Sequence, residues 1–588
     1  MKTMTRAADA APAPPSAPAR RGAAPQPLAG RALARLFAAI VALAFAIGLP
    51  AAAFAHAALG NAVPADGAML AEAPATMDLT FSEPVAPIAL RLIAPDGSSR
   101  TLTAALHDTV LSVALPSGMG QGTYALSWRV VSEDGHPVGG TLTFSIGHAS
   151  AGAPTVTAAV VDWPLRVAIW AARFALYAGL FLGVGGAVFA AWLVPRGGAA
   201  VRDCTGADVP ARGFLSAMLA IGVVAIVAAL GLQGADLLGA PVAGLAQPEI
   251  WQAGLGSIYA RTLALAAAAL VIASVSLAVV SRRPVLARLL SAVALAALGL
   301  ALAASGHAST AAPQVIMRAG VFLHAVTIAV WVGSLVPLAV LLHRGVWRKH
   351  KATAPGRADD TRRATGALRH FSDVIPWFVG VLVLSGGTLA VVQLGHPSAL
   401  WTTDYGRVML AKFALLSVLF ACALLNRFSL TAPALRAEPR SAGLLARSIA
   451  VETALVVAIF AVVAVWRFTP PPRAIDAARN EPAAVHIHTP DAMADITVTP
   501  GHAGPVTASI VVMTGDFGPL DPQEITLALS NHGAGIEPIR RPAVRVGDGT
   551  WRVDGLVLPV SGHWTVQLRL LISDFKMATL DGEVDIKP

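Results

Sequence analysis

Cysteine is almost missing from this chain. The two present in 588 residues, Cys204 and Cys422, fall in a basic loop and inside an apolar run, so no disulfide can brace a domain exposed to an oxidising compartment. Charge is scarce too: 13% of residues are Asp, Glu, Lys or Arg against 55% hydrophobic. That balance excludes an average soluble protein and points to a membrane protein. Catalytic signatures are also lacking. There is no phosphate-binding Gly-rich loop closed by Lys-Ser/Thr, no aspartyl-phosphate motif of a pump and no nucleophile elbow. The chain is therefore not expected to be an enzyme, and uphill transport would need another energy source such as a proton gradient.

Long apolar runs are what the sequence has in abundance. Eight lie between about Arg166 and Arg467, at roughly 167–194, 213–234, 257–280, 288–305, 318–342, 372–394, 407–426 and 448–467. A helix of about 20 apolar residues crosses roughly 30 Å of hydrocarbon while satisfying its own backbone. Basic residues crowd every second connector, from Arg196 to Arg212, Arg282 to Arg288, Arg344 to Arg369 and Arg427 to Arg447. The connectors near 235–256, 306–317 and 395–406 hold no Lys or Arg. By the positive-inside rule the basic loops are cytoplasmic, and both ends of the helical core face outward. These inner loops carry most of the formal charge of +9, so it is not read as a nucleic-acid footprint.

Ahead of the core, residues 1–55 read as a basic leader and a secretory signal ending in a small-x-small site, which would make His56 the mature N-terminus. Residues 56–148 break into short alternating strands separated by turn residues, the pattern of a small antiparallel sandwich. A linker at 149–165 leads into the membrane domain, 166–468. A second linker spans 469–485, and a second β-like domain occupies 486–588.

Four residues of the first domain have the chemistry of a metal site. His56 at a free N-terminus offers amine and imidazole, Glu83 sits in the turn Phe81-Ser-Glu-Pro84, and Asp134 and His136 lie in Ser132-Glu-Asp-Gly-His-Pro137. Nitrogen and carboxylate donors suit Cu(II) or a similar ion, whereas Cu(I) prefers sulfur. These blocks, with the His-Ala start and the Val-Ser-x-Asp-Gly-His-Pro-x-x-Gly pattern, resemble the periplasmic copper-resistance protein CopC. The resemblance implies a Greek-key β-sandwich that holds Cu(II) through His56, Glu83, Asp134 and His136. Met69, Met77 and Met119 are too widely separated for the Met-rich Cu(I) site of some members.

The core resembles CopD, the inner-membrane partner of CopC, through Ser305-Gly-His-Ala308, Val321-Phe-Leu-His324 with Val330-Trp-Val-Gly-Ser-Leu335, and Arg369-His-Phe-Ser372. It implies an eight-helix bundle in a bacterial inner membrane with both soluble domains in the periplasm. Polar groups at membrane depth are costly and raise a functional question. His307 is expected at the outer end of the fourth helix, His324 about two turns into the fifth, and His396 with Gln393 at the outer end of the sixth, a cluster placed to receive copper as Cu(I) or Cu(II). Lys412 and Glu452, near helix ends, are expected to snorkel. The last domain resembles the YtkA-like, immunoglobulin-like sandwich, and His486 and His488 would project from one side of a strand and could share an ion.

Copper capture in the periplasm and import across the inner membrane, for homeostasis or resistance, is the function these features imply. Copper chaperones or cuproproteins are the expected partners, beside membrane lipid and without nucleic acid. The alternative is a membrane-anchored Cu(II)-binding or chaperone protein that transports nothing; eight helices weigh against it, because a tether needs one. A haem oxidoreductase would want axial His across the bilayer, and the inner side supplies only His343, His350 and His370.

Overall fold

The computed structural model describes residues 59–587 apart from 65–66, 82–84, 132–136, 149, 151–161, 196–208, 210, 307, 310, 348–356, 437, 480–481, 516–517, 548 and 574. Nine strands form the N-terminal β-rich domain: β1 (Leu59–Val63), β2 (Ala68–Leu70), β3 (Thr76–Phe81), β4 (Ala86–Ile93), β5 (Ser99–Thr101), β6 (Ala104–His107), β7 (Val110–Ala114), β8 (Gly122–Val131) and β9 (Pro137–Ile146). They make two sheets, ordered β1-β3-β7-β6 and β2-β9-β8-β4-β5. Alternation sets the inner face: Met77, Leu79 and Phe81 of β3 are buried against Leu126 and Trp128 of β8. Trp128 meets Phe81 edge to face at 5.3 Å. Gly140 on β9 makes room for it, since a Cβ there would lie 2.6 Å from the indole.

Among the described residues, eight helices are long and apolar enough to cross a membrane. They are α1 (Trp163–Leu193), α2 (Arg212–Leu238), α4 (Ile258–Val279), α5 (Pro284–Ala303), α6 (Gln314–Trp347), α7 (Arg357–Leu394), α8 (Asp404–Leu435) and α9 (Pro439–Ala464), with a short helix α3 (Pro248–Gly256) in the connector after α2. Asp162 caps α1, its Oδ1 accepting from the Leu165 amide at 3.0 Å. Several helices outrun their apolar runs. The Ala- and Arg-rich flanks of α7 and α9 have good helix propensity, so the helices continue past the hydrocarbon.

α1 is the most enclosed of the eight and widens into π-helical turns at Gly179–Val184 and Phe189–Leu193. Small residues let its backbone meet its neighbours. A Cβ on Gly185 would stand 1.8 Å from the Ala329 carbonyl oxygen of α6, and one on Gly333 would stand 2.5 Å from Gly185. Indole hydrogen bonds add direction: Trp170 donates to the Ala461 carbonyl of α9 at 2.9 Å, and Trp192 to Ser291 Oγ of α5 at 3.0 Å. His370 on α7 donates from Nδ1 to the Leu193 carbonyl at 3.1 Å, which fixes it at the end of α1.

Part of the stretch expected to be a linker after the bundle is helical, α10 (Pro472–Arg479). Pro472 at its start has the φ that a first helical turn requires. The C-terminal β-rich domain follows as β10 (Ala483–His488), β11 (Met493–Thr499), β12 (Gly504–Met513), β13 (Glu524–Asn531), β14 (Ile536–Pro542), β15 (Val544–Gly547), β16 (Thr550–Leu558), β17 (Gly562–Ser573) and β18 (Lys576–Ile586). Its sheets run β10-β11-β12-β16-β15 and β14-β13-β17-β18 around Trp564, Ile510 and Leu568.

Both β-rich domains rest at one end of the bundle. Arg129 Nη2 on β8 donates to the Asp236 carbonyl near the C-terminus of α2 at 2.8 Å, β1 lies against β10, and α10 against α7. The α1–α6 contact has a direct test. Gly185→Ala should lower the thermal stability of the solubilised chain by an amount corresponding to roughly 1–3 kcal/mol of overpacking. Gly213→Ala, whose Cβ would meet nothing within 4 Å, should leave the melting temperature level or slightly raised; equal effects would show that the α1–α6 contact is not limiting.

Candidate functional site

A cavity of about 330 Å³ lies inside the bundle, walled by α1, α2 and α4 to α9. It runs from Gly306, Ser309, Tyr405 and Arg467, at the end that bears the β-rich domains, down past His324 to Ile328. His324 is ten residues into α6, about 15 Å along the axis at 1.5 Å per residue.

The imidazole is held in one orientation. Its Nδ1 is 3.3 Å from Ser385 Oγ on α7. That hydroxyl spends its single proton on the carbonyls of Val381 and Leu382, at 2.8 and 3.1 Å. The oxygen is left to accept from Nδ1–H, so Nε2 carries the lone pair that a metal needs. Gly386 brings the α7 backbone against the ring: a Cβ there would lie 2.9 Å from Cε1.

Around His324 the wall is more polar than an apolar bundle requires. Three of the four tyrosines of the chain, Tyr177, Tyr259 and Tyr405, line it. Thr262 and Ser305 share a hydrogen bond of 2.7 Å. Met409 adds a thioether and Lys412 an ammonium, the latter 5.0 Å from the centre of the Trp466 ring. Arg467 pairs with Asp236 at 2.5 Å, and only 7% of its side chain is exposed. Lys412 therefore does not snorkel; it faces the cavity. Glu452 does not snorkel either. It is 3% exposed at mid-helix in α9 and accepts from Asn426 Nδ2 at 2.8 Å, where α8 turns π-helical.

Of the other candidate residues, His56, Glu83, Asp134, His136 and His307 lie outside the described residues. His396 is not brought to His324. It lies outside the cavity wall, about half exposed, with Nδ1 2.7 Å from Ser398 Oγ and Nε2 3.5 Å from Asp476 Oδ2 on α10. Gln393 does reach the wall, whereas Met317 is fully buried outside it.

His486 and His488 project from the same side of edge strand β10, with ring centres 6.4 Å apart. His486 Nδ1 is 2.6 Å from Asp495 Oδ1, directly across on β11. That contact orients the ring and leaves Nε2 outward. Among the described residues no group of three or more His, Cys, Asp and Glu gathers to hold a metal. A metal at His324 would draw on its Nε2 and, at most, Met409 and neutral oxygens; one at β10 would draw on the two imidazoles.

Sequence reasoning missed Lys412 as a wall residue, Met409, Ser385 and the tyrosines. Tyrosine is so rare here that its presence in apolar runs at 177 and 259 was the available signal.

A cavity with basic and hydroxyl side chains in a largely apolar wall, inside eight apolar helices and reaching the end that bears the β-rich domains, defines a membrane-embedded binding or transport protein. Comparison with known proteins gives the kind. Residues 59–147 match the CopC domain, 162–314 match the copper resistance protein D-like N-terminal domain, and 365–466 match copper resistance protein D. The chain is 26% identical over 562 residues to the copper transport protein CutJ of Bacillus subtilis, which covers 91% of this chain and 97% of that one. It is 28% identical over 287 residues to the inner membrane protein YebZ of Escherichia coli, covering 46% of this chain and 87% of that one. Over 113 residues it is 36% identical to copper resistance protein C of Xanthomonas campestris pv. juglandis, covering 16% of this chain and 84% of that one. The chain belongs to the CopC family through its first domain, which is joined to CopD-family membrane segments, and its role is copper handling at the membrane.

The fixed ring of His324 can be checked without any metal. Gly386→Ala is expected to displace the imidazole by a few tenths of an ångström and change its nitrogen chemical shifts. Gly387→Ala, with open space around the added Cβ, should leave them unchanged. Shifts that respond equally to both would mean that the ring is not seated against Gly386.

Proposed function

We propose that this protein captures copper on the periplasmic side of the inner membrane and imports it through the bundle, for homeostasis or resistance. The observation that carries this reading is His324, a metal-competent imidazole held by Ser385 at depth in a cavity that extends to the end bearing the β-rich domains. An anchor needs no such cavity. Identity along nearly the whole chain to a copper transport protein supports it.

In this reading the first domain is the Greek-key sandwich of CopC and binds Cu(II) through the His56 amine and imidazole, Glu83, Asp134 and His136. The domain is periplasmic because the basic connectors are cytoplasmic. His307 and His396 flank the entrance. The last domain, an immunoglobulin-like sandwich likened to YtkA, offers His486 and His488 as a further copper site. Its strand β10 lies against β1, which follows His56 by two residues in the sequence. Copper chaperones or cuproproteins are the partners.

Two measurements test this reading. Copper uptake into proteoliposomes by the intact chain should fall roughly tenfold or more in His324→Ala, the scale on which metal sites respond to ligand-shell changes. Uptake equal to the intact chain, with Cu(II) still held by the first domain, would leave only an anchored binding protein. Blocking removal of residues 1–55 should weaken Cu(II) binding about tenfold or more in a metal-competition titration; unchanged affinity would show that the amine is not a ligand.

A further inference from the structure

The charge of the cavity is opposite to that of a simple cation site. Its wall carries Arg173, Lys412 and Arg467 and, among the described residues, no carboxylate. Asp236 stands behind Arg467 at 2.5 Å and also attracts Arg173, so one carboxylate is shared between two of these charges. Arg173 lies 5.2 Å from the centre of the Tyr259 ring and Lys412 5.0 Å from that of Trp466. A π face stabilises a cation without cancelling it. Among the described residues, three basic groups against one carboxylate leave two positive charges in surplus, in surroundings where water and salt screen poorly. Such a wall repels a bare Cu(I) or Cu(II) ion and attracts an anion. Its donors say the same: His324 and Met409 are neutral, so among the described residues nothing on the wall offsets the charge of an entering metal.

We propose that the cavity binds a small copper-coordinating anion, a halide or monocarboxylate, and that copper enters the bundle as a complex of that anion. Lys412 and Arg173 hold the anion by charge, and His324 Nε2 takes a position on the metal. No bond is made or broken in the anion, and the metal keeps its oxidation state. The second half of this proposal rests on the transport reading; anion binding itself does not.

Iodide serves as the probe, because it quenches indole fluorescence and Trp466 is in the wall. The full chain in detergent is titrated with iodide at constant ionic strength, and the signal that disappears in Trp466→Phe is assigned to the cavity. That signal should saturate, and chloride or acetate should compete where acetamide does not. In Lys412→Met half-saturation should move up about tenfold or more, while Lys412→Arg, which keeps the charge, stays within about threefold of the parent. Quenching by the parent chain that rises without saturation overturns the proposal even if Lys412→Met does not assemble. Equal half-saturation in Lys412→Met overturns it too. Copper uptake by proteoliposomes in chloride and in methanesulfonate separates the two readings. Saturable iodide binding without uptake in either salt removes the transport reading and leaves the anion site. Equal uptake in both salts removes the copper–anion complex.

Discussion

Asp236 stands where three parts of the chain meet. Its carboxylate holds Arg467, just beyond α9, and its backbone carbonyl accepts from Arg129 of the first β-rich domain. Arg467 in turn forms part of the cavity wall. A pair this enclosed gains little net stability, because desolvation offsets much of the Coulomb attraction, yet removing one partner strands the other. Its consequence is positional: α2, α9 and the first domain cannot move independently without exposing a buried guanidinium. The lip of the cavity is thus built from the same contacts that seat the domain above it.

Below the lip, packing decides how far the cavity extends. α1 approaches α6 through Gly185 and Gly333, which pulls the backbones together in the inner half of the bundle. There Trp331 and Phe420 stack at 5.7 Å, and Leu335 and Leu338 are almost fully buried. In the outer half Tyr177, Tyr259, Thr262 and Ser305 face one another. Polar groups in hydrocarbon must find partners inside the protein, and lining a shared cavity lets them do so together. Polar groups in one half and close packing in the other place His324 deep in a chamber whose wall on α6 ends at Ile328, closed toward the inner side.

The eight spans and most strands were legible in the sequence because each rests on a local regularity: about twenty apolar residues for a span, and alternation for strands such as β3 and β8. Strands β1, β2, β5, β6 and β14 were not, since most are short and owe their conformation to neighbours such as β3, β7 and β13. The helix α10 was hidden behind Pro470 and Pro471, which read as a linker. At the site, His324 was found because an imidazole in an apolar run has few ordinary explanations. Lys412 was misjudged: nearness to a helix end suggested snorkelling, but α9 and Trp466 cover that end and turn the ammonium inward. His396 shows the reverse error of grouping by depth alone. It shares a level with the cavity mouth yet lies just beyond the end of α7, half-exposed and against Asp476. Depth follows from counting residues along a helix, whereas the direction in which a residue faces depends on neighbours remote in the chain.

A chamber closed on its inner side cannot conduct without rearrangement, so copper import requires the inner half to open. The helices that hold His324 have weak points there. α6 contains Pro337 and α7 contains Pro376, both on the inner side of the His324–Ser385 contact. Each proline removes one helical hydrogen bond and lowers the cost of bending at that point. α1 carries its own irregularity at the same depth in the π-helical turns at Phe189–Leu193, a geometry that already departs from the regular ladder. Bending at Pro337 and Pro376 would displace the inner ends of α6 and α7 while the outer segments kept His324 on Ser385. The metal-competent imidazole and the weak points of the bundle therefore belong to the same two helices, and an opening motion could expose the chamber floor without dismantling the site.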